Sequence, residues 1–166
     1  MPPSKFRPKT ILQLKPLTAS DVETIKQWPS YPPWASQLDY ALRNGGWLDQ
    51  FPNSDTTRRF AFWKDSELVG FSVLTDITKD SAEFYIAIHP DQLGTGIGKE
   101  LTTQVIRTAF DKLRLKRVYL KVRGWHHRAI HVYERVGFKK EGTCVSEIQG
   151  KPVSFITMSI ENKANV

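Results

Sequence analysis

Gly94, Gly96 and Gly98 fall within five residues, directly after an apolar strand pattern (Ala82–Ile88) and directly before an apolar repeat of helical spacing at Leu101, Val105, Ala109 and Leu113. Glycine reaches positive φ and keeps side chains out of the way. Successive N–H groups in such a loop therefore point at one anion, while the N-terminus of the following helix adds its partial positive charge. Phosphate is the guest this arrangement predicts. A plain tight turn is the alternative, but it does not require three glycines in five residues. The two common nucleotide loops fail on detail. A P-loop needs Gly-Lys-Ser or Gly-Lys-Thr, whereas Gly98-Lys99 is followed by Glu100, whose charge repels a nucleotide–magnesium phosphate tail. A dinucleotide fingerprint needs Gly-x-Gly-x-x-Gly near the first strand of a parallel sheet, and the spacing here is Gly-x-Gly-x-Gly after a hairpin-linked set of strands.

Two side chains on neighbouring elements could move protons beside that loop. Strand alternation separates Ala82, Phe84, Ile86 and Ile88 from Glu83, Tyr85, Ala87 and His89, which puts the Glu83 carboxylate inside a largely buried strand. Burial raises a carboxyl pKa toward the range useful to a base. A solvated Glu at the strand end after Lys79-Asp80-Ser81 is the competing reading, and His89, Asp76 or a water relay are alternative bases. Tyr133 shares an apolar helix face with Ala129, Val132 and Val136, which turns its hydroxyl toward the sheet. On the pattern alone an ordinary core tyrosine, whose hydroxyl finds a backbone partner, is the favoured reading.

The elements that must position these groups alternate along the chain, and no linker is long enough to separate domains. Ile11–Leu17 reads as a strand. Thr18-Ala19-Ser20-Asp21, with Glu23 behind it, offers a helix N-cap ahead of Val22, Ile25 and Trp28, and Pro29 stops that helix. After the aromatic Pro29–Trp34 loop, Ser36–Asn44 predicts a second helix closed by Gly45-Gly46. Arg58–Lys64 and Leu68–Asp76 form a hairpin pattern, and Arg117–Val122, Phe138–Ile148 and Pro152–Ile160 are further strands. Residues 10–160 thus read as a single α/β domain, with 1–9 and 161–166 as flexible polar ends.

Composition narrows the function classes. The chain has 166 residues, 40% of them hydrophobic, which suffices for a core. Its apolar runs fall far short of the roughly 18–20 residues of a membrane span, and the basic N-terminus lacks an apolar signal core. A lone Cys144 rules out an internal disulfide and a Cys-rich zinc site, so the sequence reads as cytoplasmic, with no metal expected. The net charge of +7 is uneven: residues 99–140 hold twelve Lys and Arg against three acidic residues, whereas 11–98 hold seven against eleven. Such a chain suits two partners of opposite charge, although solvated helix faces explain the basic stretch equally well.

Ile88-His89-Pro90-Asp91-Gln92-Leu93-Gly94-Thr95-Gly96-Ile97-Gly98 is similar to the pyrophosphate loop, (Gln/Arg)-x-x-Gly-x-(Gly/Ala), of the GNAT superfamily of acetyl-CoA-dependent N-acetyltransferases. Arg128-Ala129-Ile130-His131-Val132-Tyr133-Glu134-Arg135-Val136-Gly137-Phe138 resembles that family's Ala-x-x-x-Tyr-x-x-x-Gly-Phe helix. The resemblance extends from the first strand to about Ile160. It implies a mixed, splayed sheet of about seven strands flanked by about four helices, with acetyl-CoA as cosubstrate in the gap after the loop strand. Two departures stand out: Leu93 where Gln or Arg is usual, and His126 where Asn is common.

Carried onto this chain, the resemblance implies that Ile86, Ala87 and Ile88 run along the pantetheine arm. Leu93, Gly94, Thr95, Gly96, Ile97, Gly98 and Lys99 then hold the pyrophosphate, and His126 and Arg128 complete the cofactor site. Tyr133 becomes the acid, or hydrogen-bond donor, for the coenzyme sulfur, and Glu83 the base that frees the amine, because an ammonium has no lone pair to attack with. The acceptor is a small-molecule or peptide amine, and the aromatic residues Trp28, Tyr31, Trp34, Tyr40, Trp47 and Trp63 offer surface for it beside core packing. A homodimer is compatible with this sequence. Two other classes compete: an acetyl-CoA-binding regulatory module without catalysis, and a basic nucleic-acid-binding domain. The latter lacks any helix-turn-helix or RNA-binding signature.

Overall fold

The computed structural model describes residues 10–163. Seven strands form one sheet: β1 (Leu12–Pro16), β2 (Arg58–Lys64), β3 (Glu67–Thr75), β4 (Ser81–Ile88), β5 (Arg117–Arg123), β6 (Lys139–Ile148) and β7 (Lys151–Glu161). Their spatial order is β1-β2-β3-β4-β5-β7-β6, and every pair is antiparallel except β4 with β5. That parallel pair is short. It joins only Ser81–Glu83 to Arg117–Tyr119, after which the two strands part.

Four α-helices cover the sheet: α1 (Ala19–Lys26), α2 (Trp47–Gln50), α3 (Ile97–Arg107) and α4 (His127–Val136). The expected seven strands and four helices are therefore present. On one face, α3 and α4 bury Leu101, Val105, Ile130 and Tyr133 against Phe84, Leu120 and Val122. On the other, Ile25, Trp28, Leu42 and Leu48 pack on Phe71, Val73 and Ala87. The interior strand β3 is buried at every position from Leu68 to Thr75, because both of its faces are covered.

Some elements differ from the sequence reading in instructive ways. The segment expected as a helix over 36–44 is a 3₁₀ helix, Pro33–Leu42. Its inward residues Ala35, Leu38 and Ala41 repeat every three positions, which is the period of a 3₁₀ turn, and Pro32-Pro33 starts it with no N–H to place. Helix α3 continues through a π turn, Thr108–Lys112, in which Leu113 N–H donates to the Thr108 carbonyl at 3.1 Å. At the C-terminal end, β7 runs to Glu161, and Asn162 N–H donates to the Lys116 carbonyl at 2.8 Å, so pairing continues past Ile160. Residues 1–9 and 164–166 of the expected flexible ends lie outside the described residues.

The capping box of α1 closes on Asp21 rather than Glu23. Asp21 N–H donates to Thr18 Oγ1 at 3.1 Å, and Thr18 N–H donates to Asp21 Oδ2 at 2.9 Å. Thr18→Ala removes one acceptor and leaves a helix N–H unsatisfied, so it should cost about 1 kcal/mol. Urea denaturation should show this as a lower midpoint with an unchanged slope.

Candidate active site

The site opens beside the part of β4 that lies beyond its short pairing with β5. On the α3/α4 face, a cavity of about 340 Å³ opens between Ile86 and Ile88 of β4, the glycine loop, the first turns of α3, and α4. Of the cofactor residues expected from sequence, the structure brings Ile86, Ile88, Leu93, Gly94, Gly96, Gly98, Lys99, His126, Arg128 and Tyr133 to its lining. Three others lie elsewhere. Ala87 points to the opposite face and is buried against α1 and its neighbours, Ile97 is in the core, and Thr95 turns its hydroxyl back onto the Gln92 carbonyl at 2.7 Å. Only main-chain groups of these three can face a ligand in the cavity.

Loop geometry explains the glycines. Gly94 and Gly96 adopt φ of +78° and +86°, in the left-handed region that disfavours other residues. Gly96 is the N-cap of α3 and supplies no capping side chain. The first hydrogen bond there runs from Glu100 N–H to the Gly96 carbonyl, so the N–H groups of Ile97, Gly98 and Lys99 stand at the helix end without an intrahelical acceptor. Together with the helix dipole, these donors make an anion cradle. Lys99 and Arg128 add positive charge at its edges, and Arg128 lies 5.2 Å from the centre of the Trp34 ring.

Tyr133 reaches the cavity from α4. Its ring packs edge-on against Phe84 at 6.3 Å and beside Phe138 at 5.8 Å, and the residue is 9% exposed. Burial pushes the phenol pKa far above its ordinary value, so the hydroxyl stays protonated at any physiological pH. No described residue hydrogen bonds to it, which leaves the O–H free to serve a ligand. His126 caps the start of α4, with its ring stacked on Trp125 at 5.0 Å. Burial, reinforced by the charges of Arg128 and His127, holds its imidazole pKa below the usual value. It therefore enters the site as a neutral ring near pH 7, a closer substitute for an amide than an imidazolium is.

Glu83 is on the other side of the sheet, where the alternation places it. It belongs to the last β4–β5 pair, opposite Tyr119, at the point where the strands diverge, and it is 8% exposed. Burial raises its carboxyl pKa, while Lys121 Nζ at 3.7 Å and the Tyr85 hydroxyl, donating at 3.1 Å, oppose that shift. The solvated strand-end reading is thus set aside. Of the alternative bases, His89 is committed elsewhere: its Nδ1 accepts from Asp91 N–H at 3.0 Å, and its ring lies 4.9 Å from Trp28. Asp76 is exposed.

Six lining residues are absent from the sequence-derived cofactor set: Trp34, Gln92, Thr102, Ala129, His131 and Val132. Helical spacing carries a signal for Ala129 and Val132, which share a face with Tyr133, and for Thr102, one turn after Gly98. Trp34 arrives from the 3₁₀ helix on the far side of the sheet and has no local signal for this cavity.

The family model described as "Acetyltransferase (GNAT) family" matches residues 19–138. Spermidine N(1)-acetyltransferase of Vibrio cholerae is 34% identical over 99 residues, covering 57% of this chain and 57% of the relative. The enzyme of the same name from Escherichia coli K12 is 32% identical over 116 residues, covering 68% of this chain and 62% of the relative. The matched stretches thus span about three fifths of those curated relatives. Among solved structures, the spermidine N-acetyltransferase of Vibrio cholerae in complex with CoA and spermine superposes with a TM-score of 0.68 at 26% identity, covering 90% of this chain and 95% of that one. The spermidine/spermine N-acetyltransferase of the same organism in complex with manganese ions gives 0.70 at 27% identity, covering 90% and 92%.

Proposed function

Because the chain belongs to the GNAT acetyltransferase family, we propose that it transfers the acetyl group of acetyl-CoA to a small-molecule amine by direct attack in a ternary complex. One observation carries this reading: the seam between β4 and β5 separates an uncapped helix N-terminus and a protonated, unpartnered tyrosine hydroxyl on one face from a buried carboxylate on the other. The cavity fits the coenzyme chemically, since its wall is apolar along Ile86 and Ile88 and its loop end offers main-chain donors flanked by Lys99 and Arg128. The main-chain N–H groups of Ile97, Gly98 and Lys99 hold the pyrophosphate. Leu93 supplies an apolar contact where a Gln or Arg would supply a polar one.

Bound acetyl-CoA supplies an acetyl thioester, and the protein manages protons around it. Glu83 accepts one proton from the acceptor ammonium, directly or through water, which frees the lone pair for attack on the carbonyl carbon. As the C–N bond forms and the C–S bond breaks, Tyr133 gives its proton to the sulfur and recovers one as the nitrogen sheds its second. The products are an acetamide, a thiol and one proton released to solvent. This assignment is supported by the raised pKa of Glu83, which brings a carboxylate nearer the pH at which amines must be deprotonated.

A thiol-release assay with acetyl-CoA against a broad amine library, spermidine included, tests the reading. Coenzyme binding without turnover on any amine would support the regulatory-module alternative. A nucleic-acid role gains little from the basic stretch: Lys116, Arg117 and Lys121 within it are paired with Asp80, Glu141 and Glu83. No helix among the described residues is long and apolar enough to cross a membrane. Cys144 is a free, half-buried thiol, compatible with a reducing compartment.

Glu83→Gln keeps the size of the side chain and removes the proton acceptor. Its rate should fall most at low pH and recover in part as pH rises, because a substrate that deprotonates itself no longer needs the base. Wild-type kcat/KM should rise with pH through the raised carboxyl pKa, and the mutant's rise should begin higher. A pH-independent loss would instead assign Glu83 a positioning role, and no loss would remove it from the chemistry.

A further inference from the structure

On the Glu83 side of the seam, the next outward-facing positions along β5 are cationic. Lys121 and Arg123 project to the same face as Tyr119, while Val118, Leu120 and Val122 face the core. Lys121 is engaged with Glu83 at 3.7 Å and lies 3.5 Å from Ser146 Oγ. Arg123 has no such partner. Its guanidinium sits 5.9 Å from the ring centres of both Tyr40 and Phe155, and it makes no ion pair and no hydrogen bond among the described residues. Its Nε is excluded from solvent as well. The Nε–H has lost water without gaining an acceptor, which is costly, while the terminal guanidinium nitrogens are not excluded from solvent and, flanked by two aromatic rings, are preoriented for a planar or tetrahedral oxyanion. The acid nearest in sequence to Tyr40 is not available for it: Asp39 is held by Arg43 through contacts of 3.0 and 3.1 Å.

We propose that Arg123 binds an anionic group on the acceptor, so that the amine this protein acetylates carries a carboxylate or phosphate and is not a polyamine. The inference rests on the acetyl-transfer reading, which places the reacting nitrogen beside Glu83. Glu83 is in register with Tyr119, four residues or about 13 Å of strand before Arg123, so several bonds must separate nitrogen and anion even where the two side chains reach toward each other. A polycation would instead bring its second ammonium against the Arg123 guanidinium, which repels it. The relatives named for spermidine thus share the acetyl-transfer half of the molecule with this chain, while the acceptor face has the opposite charge preference.

Matched acceptors of equal length test this: 5-aminopentanoate, 5-aminopentan-1-ol and 1,5-diaminopentane, with spermidine alongside. Turnover is followed by thiol release and binding by calorimetry. The wild-type protein should favour the aminoalkanoate over the alcohol by about 10- to 100-fold in kcat/KM, the range for a charge-assisted hydrogen bond. Arg123→Gln should bring that ratio close to one, and Arg123→Lys should keep part of it. Should the glutamine variant fail to fold, the wild-type ratio and the lysine variant still decide. Faster turnover of the diamine or of spermidine, or a ratio unchanged in Arg123→Gln, overturns the proposal. Equal affinity for aminoalkanoate and alcohol, with turnover intact, overturns the anion site and leaves acetyl transfer standing. Tighter binding of the aminoalkanoate with no turnover of any amine leaves the anion site and overturns acetyl transfer.

Discussion

Gly96→Asp is expected to yield a folded protein with no measurable affinity for acetyl-CoA. A Cβ at Gly96 meets nothing within 4 Å, so the new side chain enters open space, and the remaining cost is that of a left-handed φ of +86°. Aspartate tolerates that region better than most residues, at about 1–2 kcal/mol. The functional cost is electrostatic. Residue 96 is the N-cap of α3, and a carboxylate there faces the N–H groups of Gly98 and Lys99, where a pyrophosphate would otherwise lie. It competes for those donors and repels the phosphates in the same step. Calorimetry should show no binding heat for the variant, while its thermal unfolding stays cooperative. Gly96→Ala separates the two causes, since it carries the strain without the charge and should weaken binding only in part. Unchanged affinity in Gly96→Asp would move the phosphate site away from the loop.

Much of the site was legible because the relevant signals are local. Three glycines in five residues, the two-residue period of β4 and the helical period of α4 each report the backbone directly. The same alternation that puts Glu83 and Tyr85 on one face also puts Ala87 there, so it argues against an Ala87 side chain in the cavity lined by Ile86 and Ile88, and the structure agrees with the alternation. What stayed hidden depends on tertiary placement. Trp34 reaches the cavity from a ten-residue 3₁₀ helix, whose period amphipathic α-helix reading does not anticipate. Arg123 shows the limit most clearly. In sequence it is one of twelve basic residues between 99 and 140, indistinguishable from Arg117, which has Glu141 at 2.8 Å. Its lack of a partner is a property of what the fold leaves out of reach.

That contrast gives the charge asymmetry a physical division of labour. The N-terminus of α3, Lys99 and Arg128 attract anions on one face of the sheet, and the Glu83–Lys121–Arg123 row on the other combines one carboxylate with two cations. Main-chain pairing between β4 and β5 stops at Glu83 and Tyr119, so the two sets of groups lie on either side of the place where the strands part. In the proposed reaction the acceptor brings its nitrogen to that point. Tyr133, reached from the opposite side, is the donor whose removal should expose the chemistry most cleanly.

Tyr133→Phe is expected to fold as well as the parent, bind acetyl-CoA with unchanged affinity, and lose about 100-fold in kcat, the usual contribution of one acid–base group. The ring contacts with Phe84 and Phe138 survive the substitution. The hydroxyl has no hydrogen-bond partner among the described residues and opens to the cavity, so its loss strands no other polar group and leaves stability close to that of the parent. A tyrosine serving only the core would therefore be dispensable for turnover. The phenol pKa is pushed so far up by burial that the parent's rate should show no decline from tyrosine ionisation at alkaline pH. Single-turnover thiol release separates the chemical step from binding: a slower release at saturating acetyl-CoA and amine places the lost hydroxyl in the transition state. Equal rates in the two proteins would return Tyr133 to the core and leave the departing thiolate to be protonated by the incoming amine or by water.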